Sequence, residues 1–288
     1  MPCYHPVLVP VRGYVDLRQE VACGRCVGCR VERKRAWAAR CMHESQFHEA
    51  SCFLTLTYRD ENIPSGGTLV PAHCQLFLKR LRKAIAPRKV SFFLCGEYGE
   101  NFSRPHYHVC LFGFDFPDKV FHKLAKDGKS KLYRSALLER LWPDGFSSIG
   151  SFNYTTAAYV AGYVMKKVLG EAASEHYRVV DSVTGEAVDL VPEFVRMSRR
   201  PAIGKRWYEQ FSSDAFPDDF VVVDGKQHPV PKWYYRRLKT DSPLLAEDVR
   251  QRRIERAAEH SFDRTRERLR VRETVATAQF NQQRRNLS

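Results

Sequence analysis

The alternation of apolar and polar positions predicts a buried strand and an amphipathic helix in the first third of the chain. Residues 51–58 (SCFLTLTY) are rich in β-branched and aromatic side chains and lead to the turn-like segment 64–67. From Pro71, a residue suited to a first helical turn, apolar side chains recur at helical spacing until Pro87. This apolar stripe comprises Cys74, Phe77, Leu78, Leu81 and Ile85. We therefore predict a strand over 51–58 and a helix from Pro71.

Two more strands are predicted next, from Val90 to Tyr98 and from Pro105 to Phe114. The loop between them is short, which favours antiparallel pairing. In the predicted register, Glu97 lies opposite His106, Cys95 opposite His108, and Phe93 opposite Cys110. Because residues two apart share one face of a strand, all six side chains would lie on the same face of this hairpin.

The rest of the pattern predicts helices more often than strands. The run from Arg30 to about Glu49 lacks Pro and Gly and mixes apolar with basic residues, which is typical of a basic amphipathic helix. The other predicted helices are Leu132–Trp142, 155–169 and 244–279, and the other predicted strands are 147–153 and 221–223. Residues 123–131 are interpreted as a linker.

The distribution of basic and acidic residues indicates which kind of molecule this protein binds. Of 288 residues, 47 are Lys or Arg and 33 are Asp or Glu, which gives a formal net charge of +14. Basic residues outnumber acidic ones 15 to 7 over 1–90 and 14 to 8 over 236–288, whereas 91–235 contains 18 of each. Basic arms around a neutral centre favour a nucleic acid as the partner, although a solvated basic surface has the same composition.

The cysteines indicate the cellular compartment. All nine lie between Cys3 and Cys110, and their odd number argues against a framework of disulfides. No stretch has the length of an apolar membrane span, and none resembles a signal peptide. We therefore expect a cytoplasmic protein that does not bind membranes.

Three of the cysteines form a metal-binding pattern, Cys23-Gly-Arg-Cys26-Val-Gly-Cys29. The glycines let the chain turn tightly, so that several thiolates can converge on one ion. A structural zinc site needs a fourth ligand, for which the candidates are Cys3, His5, Cys41 and His43. An iron–sulfur cluster and unliganded buried thiols remain open as alternatives.

A second metal-binding pattern lies in the predicted hairpin. His106 and His108 are two apart in a strand and therefore present both imidazoles to one side. Glu97, in the opposite strand, would stand beside them, and Glu100 is a rival for this role. Two imidazoles and one carboxylate leave positions open on a divalent ion such as Mg²⁺ or Mn²⁺, where a phosphate can bind. From the sequence alone, histidines that are merely exposed or hydrogen-bonded remain the alternative.

The helix predicted over 155–169 carries two tyrosines away from its apolar stripe. The stripe is formed by Ala157, Ala161, Val164 and Val168. Tyr159 and Tyr163 lie nearly opposite this stripe and one turn apart, so two phenols can serve one site. A phenol is a weak nucleophile unless its target is activated, which a metal on a phosphate oxygen achieves. Lys166 and Lys167 are candidates to stabilise the added charge or to help deprotonate the phenol.

In their order along the chain, these segments resemble the three motifs of the HUH endonucleases. The matching segments are Phe53-Leu-Thr-Leu-Thr-Tyr58, then Gly96-Glu-Tyr-Gly-Glu100 with Arg104-Pro-His-Tyr-His108, then Tyr159-Val-Ala-Gly-Tyr-Val-Met-Lys-Lys167. The likeness is strongest to the replication initiators of gokushovirus-type Microviridae. It extends to the cysteine segment and to residues 197–204 (MSRRPAIG), so that it covers roughly residues 20–210. Ala202 stands where a glycine is expected.

The resemblance implies an initiator of rolling-circle replication. Such an enzyme nicks single-stranded DNA at a phage origin, stays on the 5′ phosphate through a tyrosine, and later rejoins the strand. By matching positions, His106, His108 and Glu97 would bind Mg²⁺ or Mn²⁺, and Tyr159 and Tyr163 would act as alternating nucleophiles. The implied partners are single-stranded and replicative-form phage DNA and the host helicase and DNA polymerase, in the host bacterial cytoplasm.

The fold class implied is α+β, with a central antiparallel β-sheet flanked by helices, the RRM-like palm of HUH endonucleases. The order of strand, helix, strand, strand and helix predicted from the residues agrees with it. We expect an N-terminal Cys-rich segment with a basic helix over 1–50, an HUH endonuclease domain over 51–210, and a basic, largely helical C-terminal extension over 211–288. The residues expected to contact DNA are Arg104, Arg199, Arg200 and Lys205.

Two other functions stay open at the level of sequence. One is a non-enzymatic basic DNA-binding protein with a structural zinc, in which the histidines and tyrosines only pack. The other is a metal-dependent phosphodiesterase that uses water and forms no tyrosine intermediate. Both differ from the nicking enzyme in that they form no covalent bond to DNA.

Overall fold

A computed structural model describes residues 3–11, 14–99, 104–125, 127–163, 172–180 and 185–285. The chain divides into two compact units. One unit is Trp37–Gln210, and the other combines Met1–Ala36 with Phe211–Ser288. The three-segment organisation predicted from the sequence stays a prediction.

The described elements alternate between strands and helices along the chain. The strands are β1 (Val7–Val11), β2 (Tyr14–Val21), β3 (Ser51–Tyr58), β4 (Ser91–Tyr98), β5 (Pro105–Phe112), β6 (Val120–Leu124), β7 (Lys131–Arg134), β8 (Gly145–Ser151), β9 (Arg178–Val180), β10 (Ala187–Asp189), β11 (Phe194–Met197), β12 (Phe220–Val223) and β13 (Lys226–Pro229). The α-helices are α1 (Val27–Ser45), α2 (Pro71–Ala84), α3 (Ala136–Leu141), α4 (Tyr154–Gly162), α5 (Ala172–His176), α6 (Lys205–Ala215), α7 (Lys232–Asp241), α8 (Pro243–Glu259) and α9 (Arg266–Arg285).

Seven strands of the larger unit form one sheet in the order β11-β4-β5-β3-β8-β7-β6. The pairings within it are antiparallel, and β5 lies between β4 and β3. Helices pack on the sheet, so the predicted α+β class with a central antiparallel sheet is confirmed. The strand over 51–58 and the helix from Pro71 are confirmed as β3 and α2.

One face of this sheet is packed against α2 and α3. Leu54, Leu56 and Tyr58 of β3 are buried there, because alternate residues of a strand point to the same side. Trp142, at the end of α3, is fully buried between aromatic rings. Its ring centroid lies 5.5 Å from that of Tyr58 and 5.7 Å from that of Tyr107, and its Nε1 donates a hydrogen bond to the Thr57 carbonyl at 2.8 Å. This aromatic cluster is the centre of the larger core.

The opposite face is packed against α4 and the last part of α1. Its core contains residues of both helices and of β4 and β5. They are Ala38, Cys41, Phe93, Cys95, Cys110, Phe112, Ala157, Val160 and Ala161. This face carries the predicted site residues, so the helix with the tyrosines lies directly over the strand with the histidines.

The structure corrects the prediction for the region before α3. Residues 132–134, predicted as the start of a helix, belong to β7, and the predicted linker 123–131 includes the ends of β6 and β7. The helix begins only after Ser135, whose side chain accepts a hydrogen bond from the Leu138 N–H at 3.1 Å. The apolar spacing misled the prediction because it continues through the cap, whereas the serine marks the helix start.

The basic C-terminal region also differs from its prediction. The single helix predicted over 244–279 is broken into α8 and α9 by a short 3₁₀ turn at Ser261–Arg264. The predicted strand over 221–223 is confirmed as β12. Across the described parts of the chain, no helix combines the length and the apolar content needed to cross a bilayer.

We expect Trp142→Ala to lower the free energy of unfolding of the larger unit by ~3–5 kcal/mol, because it leaves a cavity where an indole was fully buried. Urea unfolding followed by circular dichroism measures this change. The control is Phe146→Ala in β8, an exposed aromatic residue whose loss should change stability by less than ~0.5 kcal/mol. Equal effects of the two substitutions would contradict the central role of the aromatic cluster.

Candidate active site

The pairing of β4 with β5 has the register that the sequence predicts. Glu97 lies opposite His106, and Cys95 lies opposite His108. The turn is closed by the Gly99 N–H, which donates to the Arg104 carbonyl at 2.9 Å. This register brings one carboxylate and two imidazoles to the same face near the turn.

These three side chains form a compact group. Glu97 Oε1 lies 3.2 Å from His108 Nε2 and 3.9 Å from His106 Nδ1. One ligand atom from each residue lies within 4.8 Å of the others. Glu97 and His108 are buried, and His106 is partly exposed. The group has the donors and the spacing to bind one metal ion, with His106 on its open side.

Glu100, the rival to Glu97, lies outside the described residues. Glu97 is the carboxylate that the β4–β5 register brings to the two histidines. Its pairing with both rings matters for stability as well, because a buried carboxylate without a partner is strongly unfavourable. A cation, either a metal ion or a protonated imidazole, would offset this cost.

The neighbouring strand β3 positions the His108 ring. Thr55 lies opposite His108, and its Oγ1 is 3.1 Å from His108 Nδ1. When Nδ1 carries the proton and donates to Thr55, Nε2 presents its lone pair toward Glu97. Phe53 stacks on the same imidazole, with ring centroids 5.6 Å apart and planes 7° apart. Thr55 and Phe53 therefore hold the orientation of this ring.

Sequence reasoning did not identify Thr55 as a site residue. The apolar pattern over 51–58 predicts a buried strand and assigns no separate role to its second face. The alternation that buries Leu54 and Leu56 also places Phe53, Thr55 and Thr57 on the histidine face. Thr55 and Thr57 are two residues apart and therefore point to the same side of their strand. This spacing is the sequence signal that could have indicated the contact with the histidines.

A capped helix start fixes the position of the tyrosines. Asn153 follows β8 and accepts a hydrogen bond from the Thr156 N–H at 2.9 Å, while the Thr156 hydroxyl accepts one from the Asn153 N–H at 2.9 Å. This reciprocal cap starts α4 close to the end of β8. Tyr159 and Tyr163 then lie one turn apart at the metal-binding group.

Both tyrosines contact His108. The Tyr159 ring meets the imidazole edge to face with centroids 5.1 Å apart, and the Tyr163 ring stacks on it at 5.4 Å and 7°. The two phenol rings lie 4.8 Å apart and nearly perpendicular. The structure thus gathers Tyr159 and Tyr163 around His108, the histidine whose Nε2 lies 3.2 Å from Glu97 Oε1.

The two phenols differ in their access to solvent. Tyr159 is 38% exposed, whereas Tyr163 is 5% exposed and packs with Ala157 and Val160. The prediction that both tyrosines avoid the packed face was wrong for Tyr163, because the flat His108 ring gives it a surface on which to stack. Burial, with smaller effects of Glu97 and Tyr159, raises the pKa of Tyr163 well above its ordinary value.

Among the described residues, the basic side chains predicted to contact DNA are not gathered at this group. Lys166 and Lys167 lie outside the described residues. Arg104 donates hydrogen bonds to Asp60 Oδ1 at 2.6 Å and to the Tyr58 carbonyl at 2.8 Å. It therefore ties the start of β5 to the segment that follows β3.

The other predicted DNA contacts lie farther along the chain. Arg199 and Arg200 are exposed and follow Met197, which pairs with Phe93 at the opposite end of β4 from Glu97. Lys205 Nζ lies 2.6 Å from Glu209 Oε1, one helical turn away. The contacts of these residues with DNA stay predictions.

Next to the metal-binding group, the same face of the sheet opens into a groove of about 320 Å³. Its lining combines hydroxyl, basic and aromatic side chains from β3, β6, β7 and β8. They include Thr55, Thr57, Lys123, Arg134, Phe146 and Ser148. Thr55 and Thr57 also pair with His108 and His106, so the groove is continuous with the site.

The predicted cysteine cluster forms in the other unit. Cys23, Cys26 and Cys29 converge, and Cys3 joins them with all sulfur atoms within 4.8 Å of one another. Burial raises the pKa of the Cys23 thiol, but N–H donation from Cys26 and Arg25 outweighs this and lowers it to about 6. The cluster has the donors to bind a metal ion.

Comparison with known proteins gives the family. The family model described as replication-associated protein ORF2/G2P matches residues 51–168. The chain is 32% identical over 230 residues to replication-associated protein VP4 of Bdellovibrio phage phiMH2K, covering 77% of this chain and 68% of that protein. It is 30% identical over 237 residues to replication-associated protein ORF2 of Spiroplasma virus 4, covering 78% and 69%.

A third relative is replication-associated protein ORF4 of Chlamydia phage 1, 30% identical over 248 residues that cover 82% of this chain and 58% of that protein. No solved structure matches. The range matched by the family model contains Glu97, both histidines and both tyrosines. The predicted kinship with replication proteins of small phages is confirmed, and the chain belongs to the family of phage replication-associated proteins.

Proposed function

We propose that this protein initiates rolling-circle replication by nicking and rejoining single-stranded phage DNA through a covalent 5′-phosphotyrosine intermediate. The observation that carries the proposal is the contact of both Tyr159 and Tyr163 with His108, beside Glu97 and His106. Membership in a phage replication family supports DNA as the substrate. Two phenols beside one metal-binding group support tyrosines as the nucleophiles.

The group of Glu97, His106 and His108 fits a divalent cation that keeps open positions. Its donors are one carboxylate oxygen and two imidazole nitrogens within 4.8 Å, a set that suits Mg²⁺ or Mn²⁺. The hydrogen bond between His108 Nδ1 and the Thr55 hydroxyl keeps the other ring nitrogen aimed into the group. A bound ion of this kind supplies Lewis-acid polarisation of a phosphate oxygen. We propose Mg²⁺ or Mn²⁺ as the cofactor.

Tyr159 is the proposed first nucleophile because it is the exposed phenol. Its oxygen forms a bond to phosphorus, and the bond from phosphorus to the 3′ oxygen of the preceding nucleotide breaks. The electron pair of that bond stays on the 3′ oxygen, which takes up a proton. The phenol proton leaves to solvent or to a base, for which Lys166 and Lys167 remain the candidates. The phosphodiester is replaced by a phosphotyrosine ester, so the strand can be rejoined by the reverse exchange.

Tyr163 is the proposed second nucleophile. Its ring stacks on His108 and meets the Tyr159 ring at 4.8 Å, so the exposed phenol partly covers it. Movement of Tyr159 on forming its bond to DNA would open access to Tyr163. The second phenol could then attack the regenerated origin while the first still holds the displaced strand.

The groove beside the site is the proposed path of the DNA strand. Lys123 and Arg134 provide cations for phosphates, and Thr55, Thr57 and Ser148 provide hydroxyls. Phe146 is exposed and offers a ring on which a base can stack. In this proposal the reaction takes place in the host bacterial cytoplasm, on single-stranded and replicative-form DNA, with host helicase and polymerase extending the 3′ end.

The order of the tyrosines can be tested with a labelled single-stranded oligonucleotide that carries the cognate origin, in the presence of Mn²⁺. We expect Tyr159→Phe to slow the first protein–DNA adduct by at least ~100-fold, because the exposed nucleophile is lost. Tyr163→Phe should form this adduct within ~3-fold of the unaltered rate but fail in a second strand transfer. Single-turnover gels that resolve adduct and rejoined product measure both steps.

The double variant Tyr159→Phe/Tyr163→Phe should form no adduct, and Tyr133→Phe in β7 should react normally. An adduct in the double variant would rule out both nucleophiles. Cleavage without an adduct would identify a phosphodiesterase that uses water instead. Binding without cleavage would identify a non-enzymatic DNA-binding protein.

The metal-binding group can be tested on the protein alone. We expect His108→Ala to weaken Mn²⁺ binding by at least ~10-fold, and Thr55→Val to weaken it by ~10-fold because His108 loses its orienting partner. Thr57→Val is the matched control on the same strand face and should leave the affinity unchanged. Calorimetry or the Mn²⁺ EPR signal measures the affinity, and equal behaviour of the two threonine variants would contradict the role of Thr55.

Binding to single-stranded DNA should weaken by ~300-fold or more between 50 and 200 mM salt if six or more phosphates are contacted. The double variant Lys123→Ala/Arg134→Ala should reduce the slope of log affinity against log salt by roughly 1.4, because two phosphate contacts are lost. Fluorescence anisotropy over a salt series measures both. If the double variant leaves the salt slope unchanged, the DNA strand does not follow this groove.

A further inference from the structure

The cysteine cluster has no part in the proposed nicking reaction. We propose that Cys3, Cys23, Cys26 and Cys29 form a closed structural zinc site that fastens the base of the β1–β2 hairpin. The four sulfur atoms lie within 4.8 Å of one another, and the Cys23 and Cys29 sulfurs are 4.0 Å apart. This inference is independent of the nicking reaction, since it rests on residues of the smaller unit.

The spacing of the sulfur atoms fits one ion. A tetrahedral zinc with Zn–S bonds of about 2.3 Å holds its four sulfurs about 3.8 Å apart. An iron–sulfur cluster carries its own inorganic core between the thiolates and holds them farther apart. Four protein ligands also leave no position for water or a substrate, which is the arrangement of structural zinc sites.

Cys3 is the fourth ligand among the candidates that the sequence leaves open. It is buried, and its sulfur accepts a hydrogen bond from the Cys23 N–H at 3.3 Å. His5 instead hydrogen-bonds to Glu273 through Nε2 at 2.7 Å. Cys41 is buried in the apolar core of the larger unit, and His43 stacks on Trp207.

Backbone N–H groups surround the sulfurs as they do in thiolate metal sites. The N–H groups of Arg25 and Cys26 each donate to the Cys23 sulfur at 3.4 Å, and that of Tyr4 donates to the Cys26 sulfur at 3.4 Å. Four thiolates around Zn²⁺ carry two net negative charges, which these donors disperse. Cys26 and Cys29 also lie at the N-terminus of α1, where the helix dipole favours negative charge.

The hairpin needs such a fastening because it has little core of its own. Cys3 precedes β1 and Cys23 follows β2, so a shared ion joins the two ends of the hairpin. Its large side chains Leu8, Tyr14 and Leu17 are exposed, so they contribute little to a hydrophobic core. An isolated two-stranded hairpin is marginally stable in water. A metal ion at its base supplies the missing constraint.

The first test is the metal content of the full chain purified without chelator. We expect about one zinc per chain by mass spectrometry and no acid-labile sulfide. After exchange with Co²⁺, the protein should show the thiolate-to-cobalt charge-transfer band and the intense visible bands of a tetrahedral tetrathiolate site. A chain that contains iron and sulfide, or one that takes up neither zinc nor cobalt, would overturn the proposal.

The second test compares variants of the fourth ligand. Cys3→Ser should weaken zinc binding by at least ~100-fold in competition with a chelator and speed proteolysis within residues 3–23 by ~10-fold. Cys3→His should restore both properties, because three thiolates and an imidazole also make a structural zinc site. His5→Ala and Cys41→Ser are the matched controls and should keep the zinc.

Unchanged zinc affinity in Cys3→Ser would overturn the assignment of Cys3. Loss of zinc without faster proteolysis would overturn the fastening of the hairpin. Loss of zinc in His5→Ala would transfer the fourth position to His5 and equally contradict the proposal.

Discussion

The register of β4 against β5 is the constraint on which the candidate active site depends. Glu97 lies beside both histidines only because it pairs with His106, and a shift of one residue would turn both imidazoles into the opposite core. On its other side β5 pairs with β3, where the same alternation brings Thr55 to His108. Because alternate residues of each strand point to opposite faces of the sheet, the same alternation places apolar side chains in the core and these polar side chains at the site.

The parts predicted from sequence are those that short-range rules decide. The strand over 51–58, the start of α2 and the β4–β5 register depend on local patterning and a short connection, and all three are confirmed. The β6–β7 hairpin escaped prediction because β6 is exposed throughout and has no apolar alternation to read. The burial of Tyr163 also escaped it, since this burial depends on an imidazole that is distant in sequence.

The two metal-binding groups differ in the chemistry of their donors. Glu97, His106 and His108 offer oxygen and nitrogen donors, whereas the group near the N-terminus offers four cysteine sulfurs. Hard and soft ligands prefer different ions, so each group would select its own metal from the same cell. Replacing the ion of the open group would then alter catalysis in the proposed reaction without disturbing the fold around the thiolates.

The alternation along β5 also limits how the length of this chain can change. Tyr107, Val109 and Leu111 face one core, and His106 and His108 face the other side, so inserting or deleting one residue within the strand would exchange the two sets. Within the β6–β7 hairpin, the exposed strand β6 carries no such double requirement. Insertions and deletions among replication proteins of this family are therefore expected at that hairpin, while β5 keeps a fixed length.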